Sequence, residues 1–86
     1  MAMQISGAKV TGEFRGYYEV PGKEGKNYLY GQIIQTDKQG KEIMLEFKAK
    51  DEEVFNTMKK GDKVEVSLNI REMDYQGRKY VIVETA

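Results

Sequence analysis

The chain has 86 residues, with 14 basic and 14 acidic side chains and with neither cysteine nor histidine. This length predicts one small domain, residues 1–86, and the missing residue types argue against disulfides, a structural zinc site and thiol or imidazole catalysis. No apolar run approaches the roughly 18 residues that span a bilayer, and no signal peptide is visible, so we expect a cytosolic protein without a membrane segment.

The first predicted strand covers residues 8–15, where apolar and polar residues alternate. Gly12 and Gly16 predict strong curvature or a bulge in this strand. The bulge decides which tyrosine reaches the surface, because a shift by one residue at Gly16 exchanges Tyr17 with Tyr18. We place Tyr17 in the candidate site, with Tyr18 as the alternative for the same surface position.

The second predicted strand, residues 28–36, follows a loop rich in glycine and lysine, PGKEGKN. Leu29 and Ile33 occupy its core-facing phase, because residues two apart share a face of a strand. Tyr28 and Tyr30 are therefore predicted on the outer face. Tyrosine rings beside loop lysines are typical of single-stranded nucleic-acid binding, in which rings stack on bases and ammonium groups contact phosphates. Ordinary sheet packing of tyrosine is the alternative.

A tight turn at residues 37–40 leads to the third predicted strand, residues 42–48. In this strand Ile43, Leu45 and Phe47 share the predicted core face.

The following segment loses the two-residue period, and residues 51–61 predict one short helix of about two and a half turns. Asp51 is suited to cap its first turn, and Gly61 to end it. We therefore interpret the acidic run that begins at Asp51 as part of a helix start, in preference to a metal site. Phe55 and Met58 are the side chains expected to fill the core from this helix.

Two more strands complete the chain. Residues 64–71 alternate cleanly, residues 75–78 predict a turn, and residues 79–84 predict a closing strand with Val81 and Val83 on its core face. The order β-β-β-α-β-β predicts an all-β fold with one short helix, a five-stranded OB-fold Greek-key barrel. Its expected aromatic core consists of Phe14, Phe47 and Phe55.

Short motifs spread over most of the chain also carry a resemblance to a known family: Gly25-Lys26-Asn27-Tyr28 with a second large residue at Tyr30, the turn glycine Gly40, and the hairpin Tyr75-Gln76-Gly77-Arg78. In these motifs the chain resembles small OB-fold single-stranded-DNA-binding proteins, namely the helix-destabilising proteins of filamentous phages and the OB domains of bacterial single-strand-binding proteins. The resemblance implies that Tyr28 and Tyr30 stack on bases and that Lys26 meets phosphate. It departs from the phage proteins at Thr36 and Ile43, where those proteins carry further aromatic residues.

On a barrel of this kind the ligand crosses the second and third strands, between the loop that joins strands one and two and the loop that joins strands four and five. That geometry gives ten candidate nucleic-acid-binding residues: Arg15, Tyr17, Lys23, Lys26, Tyr28, Tyr30, Lys48, Tyr75, Arg78 and Lys79.

The expected function is the binding of single-stranded DNA with little sequence preference, which would protect strands or hold them open in replication, recombination or DNA transfer. The alternatives are a small barrel that binds a protein partner, which zero net charge fits equally well, and an RNA-binding OB domain. We expect no catalysis, cofactor, metal or small-molecule substrate, because no serine has an evident base beside it and no phosphate-binding glycine motif occurs. A homodimer is expected, since one barrel of this size offers a short binding path and a small core.

Overall fold

The computed structural model describes residues 4–86, which are mostly β-structure in one five-stranded sheet. Two single turns of 3₁₀ helix, Lys23–Gly25 and Glu52–Phe55, interrupt the strands. The strands confirm the five that the alternation predicts, with extended ends: β1 Gln4–Pro21, β2 Asn27–Thr36, β3 Glu42–Ala49, β4 Lys63–Tyr75 and β5 Arg78–Thr85.

The pairing of the strands closes the sheet on itself in the order β1-β2-β3-β5-β4. The long strand β1 pairs with two neighbouring strands. Its residues 4–13 pair with β4 and its residues 13–21 pair with β2, both antiparallel. The β2–β3 and β4–β5 pairs are also antiparallel. A parallel bridge between Lys48 and Glu84 joins β3 to β5. This bridge places the C-terminal end of β3 beside the C-terminal end of β5.

The predicted bulge is confirmed in the second half of β1. Arg15 is an extra residue there, since the register with β2 shifts between the residues on either side of it. Gly16 has a φ of +111°, a conformation that side chains other than glycine rarely adopt. Because one residue is inserted, Tyr18 lies opposite Tyr30 and on its face, whereas Tyr17 points to the other face. Both tyrosines are exposed, Tyr17 at 43% and Tyr18 at 40%, but Tyr18 is the one beside Tyr30, so the predicted placement of Tyr17 on that outer face is wrong.

The core forms where the inner faces of the strands meet, and the three predicted aromatic residues are confirmed there. Phe14, Phe47 and Phe55 are 3%, 0% and 5% exposed. Ile33 is buried with them, and Leu29 packs against the cluster, which confirms the inward phase predicted for β2. The rings of Phe47 and Phe55 lie with centroids 6.1 Å apart.

The helix predicted over residues 51–61 is wrong. Only Glu52–Phe55 form a helical turn, and the chain continues through further tight turns to Asp62. Asp51 does cap the turn as predicted, since its carboxylate accepts a hydrogen bond of 3.0 Å from the Glu53 amide. The segment stays short because β1 holds its far end: the Phe14 amide donates to the Asp62 carbonyl, and the Gly61 amide donates to the Phe14 carbonyl, both at 2.8 Å.

Two predicted core positions are also wrong. Ile43 is 55% exposed and Val81 is 61% exposed. Both side chains point to the core face of their strands, as predicted. Both are exposed because they lie in two-stranded extensions that the other strands do not cover. Ile43 is next to the β2–β3 turn, and Val81 belongs to the β4–β5 hairpin, which projects past the bridge to β3. No helix within residues 4–86 is long and apolar enough to cross a membrane.

Gly31 is the tightest position in the core, so we expect Gly31→Ala to destabilise the fold. A β-carbon at this residue would lie 2.6 Å from ring atoms of both Phe47 and Phe55. Overpacking of this kind costs about 1–3 kcal/mol of unfolding free energy. Urea unfolding followed by far-UV circular dichroism measures the loss. Ser67→Ala, which places an alanine at an exposed strand position, is the matched control and should stay within about 0.5 kcal/mol of the native chain. Equal stability of the two variants would contradict this packing.

Candidate nucleic-acid interface

The outer side of β1, β2 and β3 presents three tyrosines, Tyr18, Tyr28 and Tyr30, which we call the tyrosine face. Tyr18 and Tyr30 are direct cross-strand neighbours, and their rings stack with centroids 5.6 Å apart and an interplanar angle of 28°. Lys48 of β3 lies opposite Tyr30 on its other side. Two aromatic rings and one cation thus form a row across three strands, the arrangement that base stacking beside a phosphate requires.

Beside this row three lysines surround a cleft of about 310 Å³, which we call the lysine cleft. Lys26 comes from the end of the β1–β2 loop, Lys48 from β3, and Lys50 from the residue just past β3. The Tyr28 ring forms one wall, and the Lys48 ammonium nitrogen lies 4.3 Å from its centroid, a cation–π contact. Lys48 is therefore held at the boundary between the tyrosine face and the lysine cleft.

The β1–β2 loop that carries Lys26 is a compact turn. The Gly22 amide donates to the Lys26 carbonyl at 2.7 Å, which closes the loop around the 3₁₀ turn. Gly22 also leaves room for Tyr28, because a β-carbon there would lie 2.7 Å from the ring of Tyr28. Lys23 is exposed on the same loop. The glycine-and-lysine loop thus positions Tyr28 as well as contributing charge.

A second cleft, of about 330 Å³, opens where β3 and β5 separate, and we call it the arginine cleft. Tyr30, Lys48 and Arg71 are among its lining residues, so it continues the tyrosine face toward β4. The Arg71 side chain donates from Nε to Oε1 of Glu84 at 3.1 Å. Glu84 also lines the lysine cleft, which places its carboxylate between the two clefts.

Acidic side chains extend from the middle of the outer face, where Glu46 lines the arginine cleft with Tyr30 and Lys48, to the end near the β2–β3 turn. Glu46 accepts a hydrogen bond of 3.1 Å from the Gln32 amide, and a hydrogen bond to Glu46 raises the pKa of the Tyr18 hydroxyl. Arg15, predicted to contact nucleic acid, lies at this end. Its guanidinium forms ion pairs of 2.8 Å with Glu13 and 3.1 Å with Glu42, so two neighbouring carboxylates compensate its charge.

Tyr17 packs against the core and away from the tyrosine face. Its ring stacks on Phe55 with centroids 4.2 Å apart and an interplanar angle of 3°. Its hydroxyl donates to Glu52 Oε1 at 3.1 Å, and this hydrogen bond, with the negative charge of Glu52, raises the pKa of the phenol. Tyr17 therefore joins β1 to the turn that closes the core.

The β4–β5 hairpin holds three more of the predicted residues, on two different faces. Tyr75 lies opposite Arg78, across a turn in which Gln76 and Gly77 both have positive φ. Lys79 points to the other face. The turn is six residues from Glu84 along β5, so Arg78 is about 20 Å from the bridge to β3.

Four of the ten predicted residues therefore converge, namely Lys26, Tyr28, Tyr30 and Lys48, with Lys23 exposed nearby on the same loop. Tyr75, Arg78 and Lys79 are distant, Arg15 is ion-paired, and Tyr17 supports the core. Lys50 and Arg71 were missed by the sequence reasoning. Lys50 could have been found by extending the two-residue period of β3 past Lys48, whereas Arg71 reaches the site only through the contact of β5 with β3, which local sequence does not signal.

No protein-family model matches the chain, and no curated protein matches it either. In residues 4–86, no group of three or more acidic side chains is arranged to hold a metal ion.

The two neighbouring tyrosines of β1 should affect stability differently. We expect Tyr17→Ala to lower the thermal unfolding midpoint by several degrees, because it removes the ring that stacks on Phe55 and the hydrogen bond to Glu52. Tyr18→Ala removes the cross-strand pair with Tyr30 and the hydrogen bond to Glu46, both at the surface and away from the core, and should have the smaller effect. Calorimetry or circular dichroism measures both midpoints. A larger loss for Tyr18→Ala would contradict the register that the bulge imposes.

Proposed function

We propose that the protein is an OB-fold barrel that binds single-stranded DNA with little sequence preference. The observation that carries the proposal is the row of Tyr18, Tyr30 and Lys48 between two clefts that contain cationic side chains. The strand order β1-β2-β3-β5-β4 and the bulged β1, shared by both sides of the sheet, favour this barrel type.

In this proposal the stacked Tyr18 and Tyr30 rings form the platform for bases. Lys26, Lys48 and Lys50 contact the backbone phosphates next to the stacked bases. A duplex keeps its bases stacked inside, so rings on an open sheet face select unpaired strands.

The weak sequence preference follows from the few polar groups beside the rings. The two amide side chains nearest to the tyrosine face are already used within the protein: Asn27 donates to Glu19 at 2.9 Å, and Gln32 donates to Glu46 at 3.1 Å. Base edges are read by such donors and acceptors, whereas stacking accepts every base.

Zero net charge is compatible with this function because three lysines surround one cleft although the total charge is zero. Glu13 and Glu42, in contrast, lie near the β2–β3 turn, where they pair with Arg15. Local potential, more than the total charge, guides a charged ligand to a site. The protein would thus coat exposed strands during replication, recombination or DNA transfer; a cytosolic location and the absence of catalysis stay predictions.

A protein-binding role is the second candidate, and one observation favours it. The β4–β5 hairpin exposes Met73, Tyr80 and Val81, at 39%, 43% and 61%. Exposed apolar residues on a projecting hairpin are typical of docking surfaces. RNA is the remaining alternative, because stacking and phosphate contacts are common to both polymers.

Tyr30→Ala tests the proposed platform. We expect it to weaken binding of fluorescein-labelled oligo-dT by about 5- to 150-fold, the range that the loss of one stacked ring produces. Fluorescence anisotropy at low salt measures the affinity, and competition with duplex DNA and with RNA of matched length measures the selectivity. Met44→Ala is the control, since Met44 is 57% exposed on the same side of β3 but at the acidic end. It should change the affinity less than twofold.

The proposal fails if the native chain does not bind oligo-dT at low salt. Binding that Tyr30→Ala and Met44→Ala weaken equally would locate the interface elsewhere. Tighter binding of RNA than of DNA would favour the RNA alternative.

The homodimer also stays a prediction, and the exposed hairpin is the surface that we expect to form it. Light scattering coupled to size-exclusion chromatography at tens of micromolar should give twice the chain mass of 9.9 kDa. Val81→Glu, which places a charge on the apolar hairpin, should shift the protein toward the monomer. A monomer for the native chain at this concentration would contradict the dimer.

A further inference from the structure

The side chain of Glu84 lies among the cations of the candidate interface. Its carboxylate pairs with Arg71 at 3.1 Å, and only 29% of the side chain is exposed. The residue also lines the lysine cleft with Lys26, Lys48 and Lys50, although among the described residues its carboxylate forms an ion pair only with Arg71. Of the described residues that line this cleft, Glu84 alone is acidic.

The backbone holds Glu84 at this place. Glu84 is the bridge partner of Lys48, and the next residue, Thr85, is buried at 6% exposure. The Thr85 hydroxyl accepts a hydrogen bond of 3.1 Å from the Lys50 amide. These contacts join the ends of β3 and β5, so the backbone keeps Glu84 beside Lys48 and Lys50.

We propose that the lysine cleft is a phosphate-binding subsite and that the Glu84 carboxylate occupies the position of the phosphate until nucleic acid binds. This inference rests on the proposed function. Its ligand is a backbone phosphodiester of a single strand. The phosphate displaces the carboxylate, and Arg71 is released from its ion pair and becomes a second phosphate contact.

Charge and geometry both support the exchange. A carboxylate and a phosphate are the two anions that a guanidinium pairs with through the same nitrogen–hydrogen donors. The Arg71–Glu84 pair is partly exposed, so it is weak and easily replaced. Arg71 also lines the arginine cleft beside Tyr30, so its release would provide a cation where the strand leaves the tyrosine face.

The test is the charge-neutral isostere Glu84→Gln. We expect it to bind oligo-dT about fivefold more tightly than the native chain at about 50 mM salt, because it removes the competing anion and frees Arg71. The plot of log affinity against log salt should also steepen by about 0.7 for each additional phosphate that the protein neutralises. Glu65→Gln is the matched control: Glu65 is exposed on β4 opposite Thr11, about 20 Å along the strand from Arg71, and loses the same unit of charge. It should change the affinity less than twofold.

The role of Arg71 is tested by the double variant Glu84→Gln with Arg71→Gln, which should lose both the tighter binding and the steeper salt dependence. Inorganic tripolyphosphate distinguishes phosphate binding from base binding, and it should displace oligo-dT from Glu84→Gln at lower concentration than from the native chain. If Glu84→Gln does not fold, Glu84→Asp, which withdraws the carboxylate by one methylene, should change affinity in the same direction by less.

The outcomes separate the two proposals. If the native chain binds oligo-dT but Glu84→Gln is no tighter than Glu65→Gln, the subsite is wrong and the proposed function stands. If tripolyphosphate displaces the strand equally from native and variant chains, the cleft is again not the phosphate site. If neither the native chain nor Glu84→Gln binds any oligonucleotide, both proposals are overturned together.

Discussion

The extra residue in β1 is the constraint on which the arrangement of this molecule depends. A β-strand alternates its side chains strictly, so one inserted residue reverses every side chain that follows. Before Arg15 the strand contributes Phe14 to the core, and after Gly16 it places the exposed Tyr17 ring against Phe55 on the core side and Tyr18 on the outer face. Without the insertion, the Phe55 ring would lose one of its two stacking partners, and Tyr30 would have a different neighbour.

The bulge also shows which parts of the fold the sequence can predict. Alternation and turn residues were sufficient for all five strands, for the buried phenylalanines and for the outward phase of Tyr28 and Tyr30, because these depend on local pattern. Gly16 indicated that a bulge was possible, but whether the shift occurred depended on the fit of Tyr17 against Phe55, which is a contact between distant segments. The sequence therefore named both competing tyrosines, but the choice of Tyr17 for the outer face was wrong.

The wrong and missed predictions also depend on contacts between distant segments of the chain. A cap residue, acidic residues and a terminal glycine predicted a helix over residues 51–61, yet hydrogen bonds from Phe14 hold the end of this segment and leave room for a single helical turn. Ile43 and Val81 fit the alternation of core residues, but alternation does not show where other strands cease to cover the core face of the sheet. Both residues are therefore exposed. The contribution of Arg71 depends on the parallel contact between β3 and β5, and pairing between strands so far apart leaves no local signature.

The double pairing of β1 has a consequence for how the chain is made. Ile5 lies opposite Ile70, so the N-terminal half of β1 stays unpaired until β4 has been synthesised. Until then, the nascent chain exposes an open strand edge, which is the feature that other unfolded chains recognise during aggregation. A ribosome-bound fragment that lacks β4 therefore cannot close the sheet. Folding of this domain therefore waits for the synthesis of β4, and fragments that lack β4 are expected to aggregate.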